Sequence, residues 1–255
     1  MLYDTHIHTR FSHDSRMDVR DAAAKAKALG LGLIVTEHID LNYPDPKAFR
    51  FNPSEYFEEY AVYRSNSLLL GVEIGLSQDE MADNRKIVEG YPFDYVLGSI
   101  HIVNSIDTYS AEFYEGKTKK QAYDEYFDAM LDCTRMYDFI DTLGHIDYIC
   151  RYSRYPDQEL YYSDFEEKIS EVLTALADQG KCLELNTRRI SAKTVSDNLL
   201  PIYKRFREAG GRYITIGSDA HHTGDIGKNF REALEIAERA SLKPVWFRNR
   251  KIEYQ

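Results

Sequence analysis

The sequence predicts an α/β protein whose parallel strands close into a barrel. Seven apolar strand candidates alternate with seven helical patterns, glycines follow several of the helices, and residue types that bind metals fall at the strand ends. Alternation of this kind is typical of a parallel sheet covered by helices. It fits two arrangements of the sheet, which are an open doubly wound sheet and a closed barrel.

The elements are identified by their hydrophobic period and by their end signals. Short apolar or β-branched runs predict strands at 2–6, 32–36, 68–74, 95–101, 142–146, 182–186 and 213–218. Helical patterns cover 19–29, 54–65, 79–89, 119–136, 164–179, 195–208 and 229–240. Glycines just past four helix ends, where a left-handed cap favours glycine, are Gly30, Gly90, Gly180 and Gly210.

Histidines and carboxylates cluster at the ends of these strands. Two pairs have a spacing of two residues, which directs both side chains of a pair to one face of a strand. The whole set consists of His6, His8, His38, Glu73, His101, His145, Asp219 and His221. Because these residues come from six different strands, they favour a closed barrel with its site at the carboxyl ends of the strands.

Each member of this set also has a simpler explanation. Glu73 could pair with an arginine, His145 could be a satisfied core histidine, and Asp219 could cap a loop. Their joint occurrence instead favours a metal site, since a buried carboxylate prefers a paired or metal-bound state. Histidine combined with carboxylate suits zinc, iron or manganese.

Two further histidines lie close to this set. His222 follows His221 directly, so strand parity turns it away from the site. His13 neighbours Asp14 in the segment after the first strand, and spacing alone does not choose between these two residues.

Composition narrows the classes of function. A net charge of −10 argues against a nucleic-acid groove, but it leaves a small phosphorylated substrate open. The chain has no apolar run of the ~20 residues that a membrane span needs, and its first residues do not resemble a secretory signal. Cys133, Cys150 and Cys182 are too widely spaced for a thiolate metal site, so we expect reduced thiols and a cytoplasmic location.

Four segments resemble the motifs of the PHP (polymerase and histidinol phosphatase) superfamily. They are Asp4-Thr5-His6-Ile7-His8, Thr36-Glu37-His38, Gly98-Ser99-Ile100-His101 and Gly217-Ser218-Asp219-Ala220-His221. Glu73 and His145 occupy the remaining ligand positions. The resemblance implies a distorted (β/α)7 TIM-like barrel, and we expect residues 1–255 to form a single domain of this type.

The resemblance also implies two or three divalent ions, which would be zinc, manganese or iron. The first would be held by His6, His8, Glu73 and Asp219. Glu73 would bridge to a second ion, which His101 and His145 complete. The third would use Asp14, His38 and His221, because the family's first motif has a ligand at the position of Asp14 and not of His13.

Within the superfamily, segments 98–104, 144–152 and 183–187 are most similar to monofunctional histidinol-phosphate phosphatases. This similarity implies hydrolysis of L-histidinol phosphate, with Glu73, Asp219 and His221 as the expected catalytic residues. The expected substrate-binding residues are Arg151, Arg188 and Ser99.

Three alternatives stay open. The substrate could be another small phosphate, such as a nucleotide or a sugar phosphate, or the barrel could keep its metals for stability alone. Arg151 and Arg188 could each form surface ion pairs. The sequence also departs from many relatives at Arg188-Arg189-Ile190, which leaves open which arginine binds phosphate.

Overall fold

The computed structural model describes residues 1–191 and 193–254, so Ala192 and Gln255 of the predicted domain lie outside it. The strands are β1 (Tyr3–Ile7), β2 (Gly32–Ile39), β3 (Leu68–Gly75), β4 (Tyr95–Ser99), β5 (Ile102–Val103), β6 (Ile106–Asp107), β7 (Thr142–Leu143), β8 (Cys182–Asn186), β9 (Tyr213–Gly217), β10 (Lys243–Pro244), β11 (Trp246–Arg248) and β12 (Lys251–Glu253). The helices are α1 (Val19–Leu29), α2 (Pro53–Tyr60), α3 (Met81–Gly90), α4 (Lys119–Met136), α5 (Glu166–Asp178), α6 (Lys193–Glu208) and α7 (Phe230–Arg239).

One curled sheet of parallel strands forms the centre of the molecule, in the order β1-β2-β3-β4-β7-β8-β9-β10. The first strand of the sheet, β1, also meets the chain just past the carboxyl end of β9. Ile7 forms a parallel bridge with Ala220, the His8 amide donates to the Ala220 carbonyl at 2.9 Å, and the Asp219 amide donates to the His6 carbonyl at 2.7 Å. These bonds close the barrel predicted from the sequence.

The predicted elements are present, but several of their ends differ; for example, α2 ends at Tyr60 instead of residue 65, and β2 continues to Ile39. Strand β7 covers only Thr142–Leu143 and β4 stops at Ser99, so His101 and His145 follow their strands by two residues. Strand β10 and the hairpins β5–β6 and β11–β12 lie outside the predicted strands. Gly90 is the last residue of α3 and its φ is not positive, so the predicted left-handed cap is wrong there, whereas Gly30, Gly180 and Gly210 do have positive φ.

The hairpin β11–β12 covers the amino ends of the barrel strands. Trp246 stacks on Tyr3 at a ring distance of 4.7 Å, and Phe247 stacks on Tyr95 at 5.3 Å. Arg250 donates to the buried Asp141 carboxylate at 2.5 Å. The amino end of the barrel is therefore packed with side chains, and the carboxyl end is left for the site.

Candidate metal centre

The carboxyl ends of the strands bring the predicted ligands to one cleft. Seven of them line a cavity of about 280 Å³, namely Asp14, His38, Glu73, His101, His145, Asp219 and His221. His6 and His8 are fully buried and contact Glu73 and Asp219 from below. Asp219 has a left-handed backbone with φ of 55°, which aspartate tolerates better than most residues.

Four ligand atoms form a compact group at the base of the cleft. The Nε2 atoms of His6 and His8 are 3.0 Å apart, and they lie 3.2 and 3.4 Å from Oε2 of Glu73. Oδ1 of Asp219 lies 3.7 Å from His6 Nε2 and 3.4 Å from His8 Nε2. Ligands about 2.0–2.1 Å from a tetrahedral zinc ion are themselves roughly 3.3 Å apart, so this group has the dimensions of such a site.

The second carboxylate oxygen of Glu73 faces a different pair of histidines. Its Oε1 is 3.0 Å from His145 Nε2 and 3.4 Å from His101 Nε2. Glu73 therefore has one oxygen in each of two neighbouring ligand groups, which is the arrangement of a bridging carboxylate.

A third group lies nearer the cleft mouth. Asp14 Oδ2 is 3.0 Å from His221 Nε2, and Asp14 Oδ1 is 3.8 Å from His38 Nε2. Two predicted non-ligands lie elsewhere: His222 is exposed, and the exposed His13 packs against Phe49 at a ring distance of 5.3 Å.

The hydrogen bonding of Glu73 indicates that this cluster is suited to divalent cations. Oε2 of Glu73 is buried and has no hydrogen-bond partner among the described residues, yet three imidazole nitrogens lie within 3.4 Å of it. An unpaired buried carboxylate oxygen is costly unless a cation binds it. The cluster is therefore a candidate site for divalent metals.

The charges of the cluster shift the pKa values of its members in opposite directions. Burial disfavours the protonated form of His6, but the carboxylates of Glu73, Glu184 and Asp219 raise the pKa of His6 well above its usual value. Burial acts against the anion of Glu73, but His6, His38 and His101 hold its pKa well below the usual range. Both shifts show a site in which anionic carboxylates and positive charge stabilise one another.

A family sequence model covers most of the chain, since that of the PHP domain matches residues 4–188. This chain belongs to the PHP domain family. The resemblance read from the four motifs is thereby confirmed.

Relatives match along nearly their whole length. A "Probable histidinol-phosphatase" of Clostridium acetobutylicum is 49% identical, with 100% of both chains covered. A "Histidinol-phosphatase" of Lactococcus lactis subsp. lactis is 33% identical over 94% of this chain and 91% of its own.

A solved structure confirms the predicted fold class. It is the histidinol phosphate phosphatase of Lactococcus lactis, complexed with zinc, L-histidinol and phosphate. It superposes with a TM-score of 0.91 at 31% identity, covering 99% of this chain and 98% of that one.

In this PHP domain, buried acidic and hydroxyl residues that sequence reasoning missed support the ligands. Glu184 accepts from His6 Nδ1 at 2.6 Å and from the His145 amide at 2.7 Å. Asp40 accepts from His101 Nδ1 at 2.8 Å. In each case the bond at Nδ1 leaves Nε2 free to face the ligand group.

His8 is supported by a relay of two residues. Its Nδ1 donates to Ser12 Oγ at 3.0 Å, and Ser12 Oγ donates to Glu37 at 2.5 Å. Glu37 follows Thr36 in a recognised motif, and Glu184 lies two residues before Asn186 in a strand. A buried acidic residue inside an apolar strand is the signal that could have identified both.

The two predicted phosphate-binding arginines lie at the cleft, but both already contact Asp219. Arg151 donates to the Asp219 carboxylate and, at 2.8 Å, to Asn186 Oδ1. Arg188 donates to the Asp219 carbonyl at 3.1 Å, and its side chain is 44% exposed. The neighbouring Arg189 instead forms an ion pair with Asp147 at 2.8 Å.

Ser99 occupies a different position from the one its predicted role requires. It is fully buried, lies outside the cleft lining, and donates to Oε1 of Glu73 at 2.6 Å. This position suits a residue that orients the carboxylate of Glu73 and not one that touches a substrate in the cleft.

Proposed function

We propose that this protein is a metal-dependent histidinol-phosphatase that hydrolyses L-histidinol phosphate to L-histidinol and phosphate. The observation that carries this proposal is the full-length likeness to a histidinol phosphate phosphatase that holds zinc, L-histidinol and phosphate. Full-length relatives with the same activity in their names support it.

The three ligand groups would hold three divalent ions, of which zinc fits the dimensions of the first. Bound there, the ions would supply hydroxide at neutral pH and positive charge for the phosphoryl group. Within this arrangement Glu73 ties the first group to the second through its two oxygens. Asp219 ties the first group to the arginines, because its carboxylate contacts both His6 and Arg151.

Arg151 and Arg188 add positive charge to the cleft beside Asp219. A planar guanidinium binds phosphate oxygens in pairs. The side chain of Arg151 is 7% exposed and is oriented by Asp219 and Asn186, whereas that of Arg188 is 44% exposed. We infer that Arg151 fixes the phosphate and that the more exposed Arg188 closes over it, while His221 lies at the rim between Arg188 and Asp14.

We also propose that residues 1–255 act as one domain, because buried side chains from Ile7 to Leu242 form one continuous core. Among the described residues, no helix is both long enough and apolar enough to cross a membrane. Cys133, Cys150 and Cys182 are buried thiols, which suits a reducing compartment, so we place the protein in the cytoplasm.

A phosphate-release assay over a panel of phosphorylated metabolites tests the proposed substrate. With the metal-loaded protein, L-histidinol phosphate should give a kcat/KM far above those of nucleotides and sugar phosphates. A higher kcat/KM on one of those esters would reject this substrate and leave the metal phosphoesterase in place. No turnover of any ester by the metal-loaded protein would reject both.

A further inference from the structure

An aromatic wall leads outward from the metal centre along one side of the cleft. The ring of Tyr148 lies 4.9 Å from that of His101 and 4.7 Å from that of His145. Tyr152 follows at 5.3 Å from Tyr148, and Tyr109 at 4.9 Å from Tyr152. Tyr109 is 58% exposed, so this wall continues from the candidate ligands to the solvent.

A second aromatic wall lines the cleft next to His38. Phe49 packs against His38 at 5.4 Å, and Tyr43 packs against Phe49 at 4.5 Å. Both line the cleft together with Tyr109, Tyr148 and Tyr152. The outer half of the cleft is thus a slot lined by aromatic side chains, a surrounding that suits a flat ring or a cation.

One carboxylate, Asp107 at the end of β6, lines the outer half of this slot. The backbone amide of Tyr109 donates to its Oδ1 at 2.8 Å. The next residue, Thr108, holds this segment next to His101. Its amide and its hydroxyl both donate to the His101 carbonyl, at 3.0 and 2.8 Å. Burial and, next, the charge of Asp107 raise the pKa of Tyr43, so Asp107 also lies near the second wall.

Asp107 has no lysine or arginine partner within the part of the chain that the structure describes. A half-buried carboxylate without a cation is unfavourable, and a cationic ligand group would relieve this cost. The cleft therefore has Arg151 and candidate metal ligands at its inner end and, among aromatic rings at its outer end, a carboxyl group without a lysine or arginine partner. Burial raises the pKa of Asp107, and a cationic ligand would stabilise its charged form.

We propose that Asp107, with the aromatic walls of Tyr109 and Tyr43, binds the cationic part of the substrate and thereby sets its specificity. The ammonium or imidazolium group of the substrate would contact Asp107, and the heteroaromatic ring would lie between the tyrosines. This inference rests on the proposed function and deepens it. A nucleotide or a sugar phosphate carries no such cation, so the outer end would select against both.

The test compares Asp107→Asn with Asp45→Asn. Asp45 is a matched control: its Oδ1 also accepts the backbone amide two residues on, that of Lys47 at 2.9 Å, but it is exposed and lies outside the cleft lining. Asparagine keeps this acceptor at both positions. The readout is the ratio of kcat/KM for L-histidinol phosphate to kcat/KM for p-nitrophenyl phosphate, which carries no cation.

The ratio should fall about 10- to 100-fold in Asp107→Asn, the usual loss for a charged hydrogen bond, and stay near the wild-type ratio in Asp45→Asn. L-Histidinol alone should also inhibit Asp107→Asn more weakly than the wild type. An unchanged ratio in Asp107→Asn, or an equal fall in both variants, would overturn the proposal.

A second pair of esters separates this inference from the proposed function. If the wild type prefers another substrate over L-histidinol phosphate, the proposed function fails, and the ratio for O-phosphoethanolamine over ethyl phosphate then decides on Asp107. If that ratio falls in Asp107→Asn and not in Asp45→Asn, Asp107 forms part of a cation site. If the ratio is unchanged in Asp107→Asn, it does not.

Discussion

At the scale of single residues, the candidate ligands are oriented by their second ring nitrogens. Glu184 below His6, Asp40 behind His101 and the Ser12 hydroxyl beside His8 each accept from Nδ1. Such partners fix the tautomer and the direction of the ring and raise its basicity. The supporting residues therefore belong to the candidate metal centre as much as the candidate ligands do.

This support predicts a loss of metal affinity when Glu184 is neutralised. Glu184→Gln keeps the shape of the side chain but removes the charge behind His6, so affinity should fall about 10- to 100-fold. Titration of the metal-free protein against a competing chelator measures it, with the exposed Glu208→Gln as control. Equal affinities of the two variants would show that Glu184 serves packing alone.

A second prediction separates two adjacent histidines. His221 faces Asp14 in the third ligand group, whereas His222 is exposed. Changing His221 to alanine should lower both the number of bound metals and the turnover, and His222→Ala should change neither. Elemental analysis with a parallel phosphatase assay checks this, and equal damage from His222→Ala would contradict the assignment at this strand end.

At the scale of elements, hydrophobic period and strand parity predicted much of the site. Strand β8 and helices α1 and α4 have the predicted bounds, and the spacing of His6 and His8 correctly placed both side chains on one face. Strand β7 was predicted too long because the apolar Ile146 follows Leu143 closely, and residues 144–146 are buried like those of the strand. Apolar residues indicate burial and not strand pairing. Burial continues after Leu143, whereas the strand ends there.

Strand β9 approaches β1 so closely that Gly217 has no room for a side chain. A Cβ atom there would lie closer than 3.0 Å to both His6 and Glu184, a separation that real Cβ atoms essentially never show. Gly217→Ala should therefore displace His6 and lower metal content. In the matched variant Gly224→Ala the new methyl group meets open space, and metal content should remain that of the wild type. Full metal content in Gly217→Ala, measured by elemental analysis, would show that β1 and β9 can separate without harm.

At the scale of the whole molecule, the two ends of the barrel have different tasks. The amino end is closed by the hairpin β11–β12, and the carboxyl end holds the candidate ligands. The sequence did not reveal this closure, because Trp246 and Tyr3 come from opposite ends of the chain and neither lies in a recognisable motif. Contacts between distant segments leave no local period. The partners of Glu184, which are His6 and His145, were hidden for the same reason.

This division predicts that damage to the amino end lowers stability and spares activity. Trp246→Ala removes the stacking on Tyr3, which should cost about 2 kcal/mol and lower Tm by roughly 4–8 °C. Trp246→Phe keeps an aromatic ring and should lose less. Thermal unfolding measures the stability, and kcat/KM at 25 °C measures the activity. A fall in kcat/KM while the variant is still folded would show that the two ends are coupled.

In the proposed function, Glu73 joins two metal sites, and the joined sites hydrolyse the phosphoester. The most direct test of this role is the metal content and kcat of Glu73→Gln at saturating metal. Glutamine keeps the shape of the side chain but removes the charge that both ligand groups share, so kcat should fall by roughly 100-fold or more, with fewer bound metals and an unchanged circular dichroism spectrum. Wild-type turnover with a full complement of metal in Glu73→Gln would show that the charge of Glu73 does not hold two metals together.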